Sequence, residues 1–225
     1  MTVEIDKDLV ALHRAVLSMG AVARERVSQA FRSLLDHDVA LATIVREGDR
    51  EIDEMELDID EECLKILALH QPVAADLRFI IVALKVNNDL ERIGDQAVNI
   101  AERAAFLAMN EPLLVALDFP KMAEEVQTMV RQSLDALVKR DTGIAREVLG
   151  KDDEIDARNR QVHVILQGLM KNDPNSVERA VQWLSASRYL ERIADLSTNI
   201  AQDVVFMTDG ELIRHRVKDY DKRVG

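Results

Sequence analysis

Apolar positions in the N-terminal segment recur at mostly three- and four-residue spacings, at Leu9, Leu12, Val16, Met19, Ala23, Ala30 and Leu34. With 3.6 residues per turn such positions share one face, so the pattern predicts an amphipathic helix from about Ile5 to Leu35. A second helix is predicted from about Val39 to Leu69, with Val45, Ile52, Met55, Ile59, Cys63 and Ile66 turned inward. Pro72, read as a first-turn proline, opens a third that continues to about Met109. Its inward stripe is Val82, Val86, Leu90, Ile93, Ala97, Ile100, Ala104 and Leu107, and Asn110-Glu111-Pro112 stops it. After a linker ending at Phe119-Pro120, helices are predicted again over about Lys121 to Lys139, Thr142 to Lys171 and Asn175 to Thr208. Asp209-Gly210 closes the last of them, and residues 211–225 mix charges without a period, so no element is assigned there.

The second set of helices repeats the first. Leu90-Glu91-Arg92-Ile93-Gly94-Asp95 matches Leu190-Glu191-Arg192-Ile193-Ala194-Asp195, and Asn99-Ile100-Ala101 matches Asn199-Ile200-Ala201, at an offset of 100. Earlier positions align at an offset of 103, as Glu51-Ile52-Asp53 does with Glu154-Ile155-Asp156, so the second copy lacks three residues between its second and third helices. The pattern therefore predicts an all-α fold of six long helices: two tandem, pseudo-symmetric, antiparallel three-helix bundles over residues 1–111 and 112–225. Side-by-side and end-to-end packing of the copies both satisfy it.

Composition agrees and narrows the function. Only eight Gly and four Pro occur in 225 residues, which suits long helices. A formal charge of -12 repels phosphate backbones and anionic lipid headgroups, which argues against nucleic acid as a partner. Cys63 is the sole cysteine and reads as core filler, and a reducing cytoplasm is its simplest home. The longest apolar run, Phe79 to Leu84, is too short to span a bilayer, so a soluble cytoplasmic protein is expected. The sequence carries no phosphate-cradling glycine loop, nucleophile elbow or dinucleotide fingerprint, and a non-enzyme is the resulting expectation.

The acidic residues carry the candidate chemistry. On the third helix Asn88, Glu91, Asp95, Asn99 and Glu102 form a stripe roughly opposite the apolar one, and on the second Asp49, Asp53, Glu56 and Asp60 form a line along the flank. Adjacent helices would bring Asp49, Asp53, Glu91 and Asp95 together, and the second copy repeats this with Asp152, Asp156, Glu191 and Asp195, while His163 and Asn159 stand for Asp60 and Glu56. Carboxylates about 5 Å apart repel by about 1 to 3 kcal/mol per pair, so positive charge is expected between them, from Arg92, Arg50 or a metal ion. A single such acid pair is ordinarily a solvated face; four in register suggest a use. His13, His37, His70 and His215 read as surface or helix-end residues, Trp183 as core or an inter-bundle contact, and Gly94 and Ala194 as small residues for close helix approach.

The segment LERIGDQAVNIAE followed by LERIADLSTNIA resembles the paired signature of the PhoU family, and the resemblance covers essentially the whole chain. It implies tandem three-helix bundles whose paired acidic motifs can hold iron or other metals, here zinc, manganese or magnesium as well, on Asp49, Asp53, Glu91, Asp95, Asp152, Asp156, Glu191 and Asp195. It further implies a cytoplasmic negative regulator of the phosphate-starvation response, linking the phosphate ABC transporter through its ATPase subunit PstB to the sensor kinase PhoR. The expected protein is a homodimer, peripheral to the membrane through its partners. Relatives commonly carry histidine where Gln96 and Leu196 stand. Two alternatives remain open: a di-iron enzyme of ferritin-like type, opposed by the lack of any histidine with Glu three positions before it, and a metal-free structural adaptor.

Overall fold

The computed structural model describes residues 2–113 and 115–211, with side chains from Glu4 onward. The first copy consists of α1 (Thr2–Asp36), α2 (Val39–Glu47), α3 (Asp49–His70) and α4 (Ala74–Ala108). The second consists of α5 (Phe119–Lys139), α6 (Thr142–Leu149), α7 (Asp152–Asn172), a 3-10 turn at Pro174–Ser176 and α8 (Val177–Asp209). All described regular structure is thus helical, in two antiparallel three-helix bundles. Residues 212–225, including His215, lie outside the described residues.

Three boundaries differ from the sequence reading. The second long helix of each copy is broken, at Gly48 in the first and at Gly150-Lys151 in the second. Near Gly48 the Ile44 carbonyl accepts from the Gly48 N–H at 3.1 Å, whereas the next turn tightens, with Glu51 N–H donating to the Gly48 carbonyl at 3.3 Å. Continuous apolar periodicity across the break conceals it in the sequence. Pro72, read as the start of the third helix, instead lies in the connection before it, between Gln71 at φ 48° and Ala74 at φ 50°; α4 is capped by extended Val73. That connection is residues 71–73 in the first copy, while Asp173 alone leads into the 3-10 turn of the second, which is where the three residues are missing.

Caps and packing fix each bundle. Asp38 accepts from the Leu41 N–H at 2.9 Å to start α2, and Asp141 accepts from Gly143 and Ile144 at 2.8 and 3.1 Å to start α6. The inward stripes are buried as expected, Val82, Val86, Leu90, Ile93, Ala97 and Ile100 on α4 among them, with Cys63 fully enclosed; Leu9 and Met55 are only partly buried. Trp183 packs edge-on against Phe119 with ring centroids 4.7 Å apart, inside the second bundle.

The copies pack side by side, α4 against α8 and α1 against α5. Lys85 Nζ lies 3.0 Å from Asp203 Oδ1, and Gln96 shares a groove with Arg192, so α4 and α8 run antiparallel and the pseudo-twofold axis falls near Gly94 and Ala194.

Candidate metal centre

The break at Gly48 makes Asp49 the first residue of α3, where main-chain N–H groups lack helical partners and the helix dipole favours a negative charge. Asp53 follows one turn later and Glu56 after it. Gly94 permits the neighbouring helix to approach, because a Cβ there would lie 2.8 Å from Ile52 Cδ1. Asn87 sets the register, its Nδ2 donating to the Glu56 carbonyl and to Asp60 Oδ1, each at 2.9 Å.

The resulting electrostatics show which acids converge. Burial first, then the charges of Asp95, Glu56, Asp53 and Asp49, push the Glu91 carboxyl up to about 7. Asp49 is raised by burial and then by Asp53 and Asp95. Glu56 is raised by burial and then by Asp60, Asp53 and Asp95. Asp95 is raised by burial and Asp53, while Arg92 pulls it down. Arg50, expected as a second source of positive charge, turns outward and donates to Glu54 at 2.7 Å. One residue on from Asp49, it lies about 100° around the helix, on the face that also carries Glu54.

The second bundle repeats the arrangement with more compensation. Asp152, first residue of α7, is pushed up to about 6 by burial and then by Asp195, Asp156, Asp153 and Glu191. Glu191 is raised by burial, Asp195 and Asp156 and lowered by Arg188 and Arg192. Asp195 is raised by burial and Asp156 and lowered by Arg192.

All eight acids singled out by the sequence therefore fall into two groups of four, one per bundle. Glu56 joins the first group and Asp153 the second. Glu56 already lay on the acidic line, whereas Asp153 gave no periodic signal. The equivalent of Glu56, Asn159, instead accepts from the Ser187 hydroxyl at 2.7 Å. Gln96 Nε2 donates to the Arg92 carbonyl at 3.3 Å and Leu196 is buried, so neither offers a nitrogen ligand to its cluster. His70 lies against Asp8 at 2.9 Å and His13 against the Phe79 ring. Among the described residues no three His, Cys, Asp or Glu side chains close around one point tightly enough to hold an ion; the carboxylates share a field rather than a finished coordination sphere.

A duplicated helical bundle bearing one carboxylate cluster per repeat is the class that this fold and site define. The chain belongs to the PhoU family: the family profile of the PhoU domain matches residues 16–104 and again 119–204. It is 36% identical over 210 residues to the phosphate-specific transport system accessory protein PhoU homolog of Aquifex aeolicus, covering 93% of this chain and 95% of that one. The crystal structure of PhoU from Pseudomonas aeruginosa is similar at a TM-score of 0.89 and 37% identity, covering 92% and 99% of the two chains. That of the phosphate transport system regulatory protein PhoU from Streptococcus pneumoniae is similar at 0.86 and 30% identity, covering 92% and 98%.

Proposed function

We propose that the chain is an accessory and regulatory protein of a phosphate-specific transport system, without catalysis of its own, and that its two carboxylate clusters hold metal ions. The name borne by relatives that match along nearly their whole length supports the first part. The second rests on one observation: carboxyls in each cluster are raised by burial and then by their neighbours' charges, a repulsion that a cation would relieve.

By chemistry, being all carboxylate, the donor set suits a hard cation, although the side chains as they stand do not close around one point. Asp49, Asp53, Glu56, Glu91 and Asp95 would hold it in the first bundle, and Asp152, Asp156, Glu191 and Asp195 in the second. These are oxygen donors only, the set favoured by magnesium, manganese and ferric iron over softer metals. A bound cation would supply charge neutralisation, tying α3 to α4 and α7 to α8. Occupancy then stiffens each bundle and alters the surface that partners meet. The acids lie on outer helix faces rather than inside a bundle, which disfavours the ferritin-like enzyme.

The partners in this reading are the transport ATPase PstB and the sensor kinase PhoR, met at the inner face of the membrane by a homodimer. No helix among the described residues is long and apolar enough to cross a membrane. Co-purification should recover the transporter ATPase or the kinase, and deletion should raise phosphatase expression in phosphate-rich medium; unchanged expression refutes the regulatory role. Elemental analysis of protein prepared without chelators should find metal that is lost in Asp95→Asn and Asp195→Asn. Metal-free wild-type protein would leave a structural adaptor instead.

A further inference from the structure

The bundles differ beside their clusters. A groove between α4 and α8 opens on each side of the pseudo-twofold axis. On the first side Leu84, Lys85, Asn88, Asp89 and Arg92 face Asn199 and Gln202 across about 650 Å³. Both cations there are committed, Lys85 to Asp203 at 3.0 Å and Arg92 to Asp89 at 3.7 Å.

The second groove, of about 640 Å³, is lined by Ser185, Arg188, Tyr189, Glu191, Arg192 and Asp195 with Gln96 from α4. Arg188 replaces Asn88, adding a guanidinium, and Tyr189 replaces Asp89, removing the acid that engages the equivalent arginine. The two arginines stand four residues apart on one face of α8 and are exposed, and among the described residues neither makes an ion pair. Both still act on the cluster, since Glu191 feels the pair and Asp195 feels Arg192.

We propose that this groove is an oxyanion subsite, in which Arg188 and Arg192, with the Tyr189 hydroxyl and the Gln96 amide, hold a small tetrahedral dianion such as orthophosphate against a divalent cation carried by Asp152, Asp156, Glu191 and Asp195. Guanidinium forks suit such oxyanions because several N–H donors meet several oxygens at once. The inference rests on the cation-binding reading above. With Asp153 counted, five ionised carboxylates and two guanidiniums leave the wall at -5 + 2 = -3, which repels a dianion. One divalent cation brings the wall to -1 and a pair brings it to +1. Anion binding is therefore conditional on the cation, and by reciprocity the anion tightens the cation by the same factor. The first groove, whose cations are already paired, takes no anion, so one oxyanion is expected per chain.

Equilibrium dialysis of the full chain against micromolar manganese(II) and radiolabelled orthophosphate tests this, with bound manganese counted by electron paramagnetic resonance. Orthophosphate should bind in the presence of manganese and at least about tenfold more weakly in EDTA. The double variant Arg188→Gln/Arg192→Gln should keep the manganese stoichiometry, which also reports its folding, while losing at least about tenfold in orthophosphate affinity. Arg92→Gln, the first-copy counterpart of Arg192→Gln, should leave orthophosphate binding unchanged. Manganese bound without orthophosphate, or equal orthophosphate binding in the double variant, overturns the subsite and leaves the cation reading standing. Absence of bound manganese overturns both.

Discussion

The metal-free protein should become less stable as pH rises from about 5 to about 7.5, the reverse of ordinary acid denaturation. Glu91 is raised from its usual 4.5 to about 7 and Asp152 from 3.8 to about 6, in both cases by burial first and neighbouring carboxylates second. Between the unfolded and folded values the folded chain binds more protons than the unfolded one. Stability is then highest below the unfolded value and falls as pH climbs through the folded one. At about 1.4 kcal/mol per pH unit each difference corresponds to roughly 3 kcal/mol, and solvent screening of half-exposed groups reduces it to about 1 kcal/mol. The two together amount to about 2 kcal/mol, or about 4 to 8 °C in Tm for a chain of this size. His13, lowered by burial and by Arg140, contributes with the opposite sign, so the wild-type slope is a net one. Calorimetry in EDTA across this pH range, on wild type and on Glu91→Gln/Asp152→Asn, isolates the carboxyl part. The variant should be more stable than wild type near neutral pH and show a flatter dependence, and saturating manganese should raise the wild-type Tm most at the high-pH end. A chelated wild type and variant with the same slope would refute the convergence of these carboxylates.

Three further outcomes follow from packing. Ile52→Ala empties the space that Ile52 fills over Gly94 and should cost about 3 kcal/mol in urea unfolding, since Ile52 is buried. Asp141→Ala removes a cap that accepts two N–H bonds at the start of α6 and should lower stability by about 1 kcal/mol, visible as a reduced urea midpoint at constant slope. Lys85→Met breaks an ion pair to buried Asp203 across the bundle interface, while Asp203 keeps its other contacts, and should cost about 2 kcal/mol by chemical denaturation.

The helices, their inward faces and the duplication were legible because burial imposes a period on side chains, and duplication writes the same period twice. The acidic positions were legible for the same reason: Glu91 and Asp95 share a stripe, and so do Asp49 and Asp53. What a period cannot carry is a one-residue change in backbone geometry. Helix two looked continuous because Val45 and Ile52 keep their face across Gly48, although the chain restarts at Asp49. Nor does spacing say where a long flexible cation turns, so Arg50, sited near the acids in sequence, bonds Glu54 on the outside. The choice between side-by-side and end-to-end copies was equally hidden, since it rests on contacts such as Lys85 with Asp203, which lie 118 residues apart.

The two helix breaks occupy aligned positions but are built differently, and the difference predicts opposite responses to one substitution. In the first copy Gly48 caps α3; in the second the aligned cap is Lys151, and Gly150 stands one place earlier. Both glycines have ordinary negative φ, -83° and -71°, so neither break depends on a left-handed backbone. A Cβ at Gly48 would lie 2.3 Å from Arg26 Cζ, displacing the guanidinium that bonds Glu51 at 2.8 Å and Gln29 at 3.2 Å. A Cβ at Gly150 meets only carbonyl oxygens at 3.6 and 3.8 Å, an ordinary contact. Gly48→Ala should therefore cost about 1 kcal/mol through the lost arginine contacts, and Gly150→Ala should gain about 0.5 kcal/mol by restricting the unfolded chain. Urea midpoints that move in the same direction for both would show that the break itself, rather than what packs against it, sets the tolerance. In that case the start of α3 at Asp49 and of α7 at Asp152 would depend on glycine as such. Opposite directions would mean that packing places these first acids at the positive ends of their helices, where the dipole offsets about 0.3 to 1 kcal/mol of the repulsion each one meets.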